Sequence, residues 1–130
     1  MADPMGDATR ALYVLVVDDN ADVRRAIRFL LARETGLEVI AEAASIEEML
    51  GFGGGRRPNL ILIDLELPGL DAPHLAAIRE TSPDVSIVGM TSLPEAALNP
   101  DPAFDIVVDK TIGPEALLGA LNQLTRHELA

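Results

Sequence analysis

Five polar or charged side chains stand at or just beyond the ends of short apolar runs in this sequence. Asp18 and Asp19 end the first run, Asp64 ends a later one, and Thr91 and Lys110 follow the last two. Alone, each has an ordinary explanation, such as a helix N-terminal charge, a strand-end hydroxyl or a solvated cation. Together, carboxylates, a hydroxyl and an ammonium can hold a divalent cation and phosphate oxygens, as phosphoryl transfer requires.

The apolar runs predict five strands that position these side chains. The runs are too short for helices, and the central ones are apolar on both faces, as in the strands of a parallel sheet. The predicted strands are Tyr13–Val17, Leu37–Ala41, Leu60–Ile63, Val85–Met90 and Ile106–Val108.

Capping residues and helical periodicity predict a helix after each strand. The starts are marked by Asn20, Ser45 with Glu48, Asp71, Ser92 with Glu95, and Gly113 with Pro114. Glycine and proline predict the ends at Gly36, at Gly51, before Pro83 and near Asn99, so the fourth helix is short. The apolar stripes are Val23, Ala26, Ile27, Leu30 and Leu31 in the first helix and Leu117, Leu118, Leu121 and Leu124 in the last. The last stripe is expected to be core first and a homodimer contact second.

Alternation of strands and helices predicts an α/β fold of five βα units. Such a chain forms a doubly wound parallel sheet with right-handed crossovers and helices on both faces. All strands then present their carboxyl ends at one edge, where open α/β sheets bind ligands. The domain is expected to cover residues 12–126, with a flexible leader at 1–11 and a C-terminal tail at 127–130.

Composition narrows the function further. The 130 residues carry 21 acidic and 10 basic side chains, a net charge of −11. Nucleic-acid binders are typically basic along one face, so direct nucleic-acid binding by this chain is not expected. There is no cysteine, and no apolar run is long enough for a membrane span or placed as a secretory signal. A cytoplasmic protein without membrane contact is the expectation.

The negative charge of three carboxylates at one sheet edge must be neutralised. Two of them about 4 Å apart repel by roughly 4 kcal/mol at an effective dielectric constant near 20, and three repel by about two to three times as much. One lysine does not neutralise this charge, whereas a divalent cation does. Oxygen ligands with positions open to water and phosphate suit Mg²⁺ or Mn²⁺ better than zinc. Asp18, Asp19 and Asp64 are therefore the predicted centre of a metal site.

Two segments resemble the receiver domains of two-component response regulators. They are Val16-Val17-Asp18-Asp19 and Ile63-Asp64-Leu65-Glu66-Leu67-Pro68-Gly69-Leu70-Asp71. The resemblance extends from about Leu12 to Leu124, and it implies strand order 2-1-3-4-5. By this resemblance, Asp64 accepts a phosphoryl group from a sensor histidine kinase or phosphotransfer protein. The domain would then be a phosphoacceptor that switches protein contacts, with an unidentified downstream partner, and not an enzyme acting on a separate substrate.

The resemblance also implies roles for the side chains around this aspartate. The cation ligands would be Asp19 and Asp64 directly, Asp18 mainly through water, and Glu66 through its backbone carbonyl. Thr91 would hydrogen-bond the phosphoryl oxygens, Lys110 would pair with them, and the small Ser92 would leave the phosphodonor a path.

Three features depart from the family pattern. Val107 stands where an aromatic residue is usual, three positions before the lysine. Thr111 replaces the usual proline after Lys110, which argues against the family's cis peptide bond, and the fourth helix is short. The segment from Lys110 onward is more like receivers attached to helix-turn-helix output domains. All three departures fall on the face through which the family usually signals, so we expect intact phosphorylation chemistry and an altered readout.

Two other functions share parts of this pattern. A pseudo-receiver scaffold would be marked by loss of the acid pair, the aspartate or the lysine, and all are present. A phosphatase with an aspartate nucleophile would carry Asp-x-Asp-x-Thr after its first strand, whereas Asp64-Leu65-Glu66 follows the third.

Some suggestive residues have simpler explanations. The glycine-rich loop 51–58 lacks the Gly-Lys-Ser/Thr of a phosphate-binding loop, so it is expected to be a surface linker. His74 and His127 have no partner at metal-ligand spacing and are expected to be ordinary helix residues.

Overall fold

The computed structural model describes residues 11–51 and 57–127. The elements are β1 (Leu12–Val17), α1 (Ala21–Ala32), β2 (Leu37–Ala43), α2 (Ile46–Gly51), β3 (Leu60–Asp64), α3 (Ala72–Thr81), β4 (Ser86–Thr91), α4 (Pro94–Leu98), β5 (Ile106–Asp109), a 3₁₀ turn (Lys110–Ile112) and α5 (Pro114–His127). Most of the predicted leader, residues 52–56 of the glycine-rich loop and residues 128–130 of the predicted tail lie outside the described residues. In the part described, no helix combines the length and apolar character needed to cross a membrane.

The five strands form one parallel sheet in the order β2-β1-β3-β4-β5. Two apolar clusters cover its faces. One contains Ile27 and Leu31 of α1 with Leu117 and Leu121 of α5, and the other contains residues of α2 and α3. The predicted doubly wound sheet, its strand order and the two helical layers are thereby confirmed.

Helix α1 begins where the sequence predicted and ends earlier. The Asn20 side chain accepts the backbone N–H groups of Asp22 and Val23, at 2.8 and 3.3 Å, which satisfies two donors of the first turn. The helix stops at Ala32, so the prediction that Gly36 ends it was wrong. Gly36 instead adopts a positive φ of 87° in the turn to β2, a conformation that glycine adopts without steric penalty.

The apolar stripes of α1 and α5 pack mainly as predicted. In α1, Val23, Ile27, Leu30 and Leu31 all join the core, whereas Ala26 is exposed. In α5, Leu117, Leu118, Leu121 and Leu124 all pack on the same cluster. The core role of the last stripe is confirmed, and its homodimer role stays a prediction.

The capping motifs of α2 and α3 form hydrogen bonds close to those predicted. The Ser45 hydroxyl accepts the Glu48 N–H at 3.1 Å, and the Glu48 carboxylate accepts the N–H of Ala44 at 2.6 Å. The reciprocal bond therefore reaches one residue further back than in a standard capping box. At α3, the Asp71 carboxylate accepts the His74 N–H at 3.0 Å.

The short fourth helix is confirmed, but its predicted capping box is wrong. Helix α4 has only five residues, and its N-cap is Leu93, which makes no side-chain cap. Pro94 at the first helical position has no N–H to be capped. The Ser92 hydroxyl instead donates to the Glu66 carboxylate at 2.9 Å.

The segment after β5 forms a 3₁₀ turn. The Asp109 carboxylate accepts the N–H of Thr111 at 2.8 Å and its hydroxyl at 2.6 Å. No cis peptide bond occurs among residues 11–51 and 57–127, as the absence of proline after Lys110 suggested. Gly113, with φ of 107°, then leads into α5.

Gly89 of β4 gives a test of packing beside the site. A Cβ atom there would lie 2.8 Å from Leu65 Cδ2 and 3.1 Å from Phe104 Cδ1. We expect Gly89→Ala to lower the free energy of unfolding by about 1 kcal/mol, because these side chains must move from their packed positions. The measurement is urea denaturation.

Gly119→Ala is the matched control. Gly119 lies in α5 with open space around it, so alanine should raise the free energy of unfolding by about 0.5–1 kcal/mol through helix propensity. An equal gain in Gly89→Ala would show that the neighbours of Gly89 yield without penalty.

Candidate functional site

Three carboxylates converge at the carboxyl edge of the sheet, as predicted. One oxygen from each of Asp18, Asp19 and Asp64 lies within 4.8 Å of the others. Asp18 and Asp64 are buried, with 1 % and 6 % of their surface exposed, whereas Asp19 is exposed. Two of the three charges are therefore held away from water.

Strand register explains this convergence. In the parallel pair of β1 and β3, Val17 lies opposite Ile63, so the aspartates that follow them emerge side by side. Asp64 in turn lies opposite Met90, the residue before Thr91. The site thus follows from which residue ends each strand.

Lys110 completes the predicted cluster from the end of β5. Its Nζ lies 3.6 Å from Asp64 Oδ1 and 3.9 Å from Asp18 Oδ2. The lysine side chain is 31 % exposed, and the two carboxylates it faces are almost fully covered. One ammonium thus faces two buried carboxylates at distances typical of ion pairs.

The Asp18 carboxylate is only partly satisfied by hydrogen bonds from the protein. Its Oδ1 accepts the Asn20 N–H at 2.9 Å, but its buried Oδ2 has no hydrogen-bond donor. Burial, with the repulsion of Asp64 and Asp19, raises the pKa of Asp18 above its ordinary value, although the Asn20 N–H and Lys110 oppose this. An unsatisfied carboxylate oxygen among converging carboxylates fits a hard cation such as Mg²⁺.

Arg24 is a supporting residue that the sequence reasoning missed. Its Nη1 donates to the backbone carbonyl of Asp18 at 2.6 Å, and its Nε donates to the Glu42 carboxylate at 3.0 Å. Glu42 also pairs with Arg28. The position of Arg24 in the first turns of α1, directly after the acid pair, is the sequence signal that could have identified it.

The Glu66 side chain was also missed, because only its backbone carbonyl was assigned a role. Its Oε2 accepts the Thr91 hydroxyl at 2.8 Å, and its Oε1 accepts the N–H and the hydroxyl of Ser92 at 3.1 and 2.9 Å. Partial burial raises the pKa of Glu66, but these three hydrogen bonds and Lys110 outweigh it, so the pKa is below its ordinary value. The carbonyl's part in metal binding stays a prediction.

Thr91 is fully buried at the end of β4, where the sequence placed it. Its oxygen accepts the Leu93 N–H at 3.0 Å, and its one proton is donated to Glu66. The predicted partner of this hydroxyl, a phosphoryl oxygen, would have to replace the Glu66 carboxylate.

Both histidines lie in helices, as predicted. His74 is in α3, and its Nδ1 lies 2.6 Å from the Asp71 carboxylate that caps the helix. His127 is the last residue of α5. His74 does not belong to the group of possible metal ligands found among the described residues.

This fold and edge cluster define a flavodoxin-like receiver domain. The family model for the response regulator receiver domain matches residues 14–122. The chain belongs to this family, which confirms the resemblance drawn from the two acidic segments.

Curated relatives agree with this membership. Over 83 residues the chain is 38 % identical to response regulator GacA of Pseudomonas viridiflava, and over 84 residues it is 34 % identical to the uncharacterized transcriptional regulatory protein YhcZ of Bacillus subtilis. Each match covers 62 % of this chain and 38 % of the relative. The chain therefore spans less than half the length of these relatives.

Solved structures have the same fold. A LuxR-family two-component response regulator from Aurantimonas sp. is 27 % identical with a TM-score of 0.77, covering 90 % of this chain and 86 % of that one. CheY6 of R. sphaeroides, in a structure with the P1 domain of CheA3, matches at 25 % identity and a TM-score of 0.74 over 88 % of this chain and 97 % of that chain.

Removal of the Asp18 charge should change the free energy of unfolding differently in EDTA and in Mg²⁺. In EDTA, we expect Asp18→Asn to raise the free energy of unfolding by about 1 kcal/mol, because the folded protein favours a neutral group there. With millimolar Mg²⁺ the wild type should gain stability and the variant should not, since the cation binds the folded state. Urea denaturation in both buffers measures this.

Asp22→Asn is the matched control for this comparison. Asp22 is exposed in the first turn of α1, outside the carboxylate cluster. Its substitution should change stability equally in EDTA and in Mg²⁺. If Asp18→Asn behaved in the same way, Asp18 would not be part of a cation site.

Proposed function

We propose that this domain is the phosphorylatable receiver of a two-component system and that Asp64 is the phosphoacceptor. The observation that carries the proposal is the position of Asp64, which is buried beside two other acids and faces the Lys110 amine at 3.6 Å. A buried carboxylate in such surroundings is costly unless it is used, because like charges and desolvation both destabilise it. Phosphoryl transfer uses this arrangement directly.

The geometry distinguishes the two oxygens of Asp64. Oδ1 accepts the Glu66 N–H at 3.0 Å and faces Lys110, which fixes the orientation of the carboxylate. We assign the attack on phosphorus to Oδ2: a bond forms between Oδ2 and phosphorus, and the bond between phosphorus and the donor breaks. Lys110 then pairs with negative charge on the transferred group.

Asp18, Asp19 and Asp64 are the residues that would hold Mg²⁺. When bound, the cation supplies charge neutralisation for the carboxylates and for the phosphoryl oxygens. The three oxygen donors and the unsatisfied Asp18 Oδ2 favour this hard cation over metals that prefer nitrogen or sulfur. Mn²⁺ has the same ligand preference and is the alternative occupant.

The proposed phosphodonor is a sensor histidine kinase or a phosphotransfer protein. A relative of this chain, CheY6, has been solved in complex with the P1 domain of CheA3, which supports a protein as the partner of this domain. The domain itself then acts as a switch and not as an enzyme on a separate substrate. Its net charge of −11 supports contacts with proteins and not with nucleic acid.

We further propose an altered readout on the face formed by α4, β5 and α5. Val107 is half-buried and has no ring to rotate in response to Thr91. Helix α4 buries none of its residues, and Leu93 and Leu98 beside and within it are 53 % and 79 % exposed. A signal passing through this face would therefore act on α4 and not on an aromatic rotamer at 107.

Removal of the Asp64 carboxylate tests the proposal. With acetyl phosphate and Mg²⁺, the wild type should gain the mass of one phosphoryl group, and its amide NMR resonances around β3, β4 and β5 should shift. Asp64→Asn should show neither change, because an amide is a poor nucleophile. The expected loss is complete within detection.

Asp71→Asn serves as the control because it replaces an exposed acid seven positions later and asparagine still caps α3. It should be phosphorylated like the wild type. Phosphorylation of Asp64→Asn at the wild-type level, or an unresponsive wild type, would contradict the proposed function.

A further inference from the structure

We propose that the Glu66 carboxylate is a reversible internal competitor for the phosphoryl-binding groups of this site. The inference rests on the proposed function, since the competitor matters only if Asp64 is phosphorylated. It concerns the Glu66 side chain, which neither the sequence pattern nor the metal cluster assigns a role.

The first support is the number and type of donors that Glu66 receives. Its two oxygens accept one bond from Thr91 and two from Ser92, at 2.8, 2.9 and 3.1 Å. Hydroxyl and backbone N–H groups at the end of a strand are also the groups that bind phosphoryl oxygens. An anionic carboxylate therefore occupies the donors that an anionic phosphoryl group would use.

The second support is the proton count at Thr91. A threonine hydroxyl has a single proton, and here it is donated to Glu66 while the oxygen accepts the Leu93 N–H. Thr91 is fully buried in this arrangement, so its hydroxyl has no contact with water while Glu66 is in place. The hydroxyl can donate to Glu66 or to a phosphoryl oxygen, but not fully to both.

The third support is the connection between Glu66 and the phosphoacceptor itself. The Glu66 N–H donates to Asp64 Oδ1, so the two residues share one turn after β3. A phosphoryl group on Asp64 would bring negative charge close to the Glu66 carboxylate. Repulsion and competition for donors then act in the same direction, and both favour release of the exposed glutamate side chain to solvent.

The consequence is a contact that must break when the site is occupied. In the free protein, Glu66 ties the turn after β3 to the residues that lead from β4 into α4. Occupation of the site releases this tie and frees Ser92 at the start of that segment. The position of the short α4 is thereby coupled to Asp64 without an aromatic switch.

Beryllofluoride, a phosphoryl mimic, tests the competition. We expect Glu66→Gln and Glu66→Ala to lower the concentration of beryllofluoride needed for half-saturation by about tenfold in Mg²⁺, because no carboxylate then competes for the donors. The titration follows amide NMR resonances. In the free variants, the Ser92 amide should already be displaced toward its position in the beryllofluoride-bound wild type.

Two further variants separate hydrogen-bond competition from charge. Glu95→Gln removes one negative charge from the exposed first turn of α4 and should leave the half-saturation unchanged. Glu66→Asp keeps the charge but shortens the side chain by one methylene, so its carboxylate should compete less well for Thr91 and Ser92. This variant should therefore bind beryllofluoride more tightly than the wild type. A wild-type value in Glu66→Asp would show that charge alone acts and would overturn the competition for Thr91.

Loss of affinity in Glu66→Gln, or an unchanged value in both Glu66→Gln and Glu66→Ala, would also overturn the inference. A merely structural role for Glu66 predicts such a loss, so the gain is diagnostic. If the wild type itself does not respond to beryllofluoride, the proposed function fails and the inference fails with it. If the wild type responds but the Glu66 variants have the same half-saturation value as the wild type, only the inference is rejected.

Discussion

The main physical constraint on this structure is the concentration of negative charge at one edge of a parallel sheet. The buried Asp18 and Asp64 face a single lysine, the exposed Asp19 lies beside them, and one buried carboxylate oxygen receives no hydrogen bond. A fold keeps such a cluster only where the rest of the domain supplies enough stability. The two apolar layers that sandwich the five strands supply it, because both faces of the central strands are covered.

Much of the fold was predictable because its signals are local. Apolar runs that end in acid, asparagine and aspartate caps, and glycine or proline breaks fix the type and order of the elements. The strand order was not derivable in this way, since alternating strands and helices are compatible with more than one order. It came from the resemblance of the segments around Asp18 and Asp64 to receiver domains, and the sheet confirms it.

The misses have a common physical cause. The assignment of Ser92 as a helix cap and the omission of the Glu66 side chain are two sides of one error, because these residues bond to each other across 26 positions. A capping motif indicates which bond a serine can make with its neighbours, but a charged acceptor from another loop forms a stronger one. Arg24 was missed for a similar reason: its partners, the Asp18 carbonyl and Glu42, meet only in the folded chain.

Packing against Gly89 connects the turn after β3 with the segment before β5. Val107 stands where the family usually has an aromatic residue. The half-buried Phe104 and Leu65, the neighbour of Asp64, both pack over Gly89. The space above Gly89 is therefore filled from two sides, by the turn that follows Asp64 and by the segment that leads into β5. Movement of the turn after β3 must be accommodated by both Phe104 and the Glu66 contact to Ser92. Packing above the strand and hydrogen bonds at its end thus give the domain two connections from Asp64 to the α4 and β5 region.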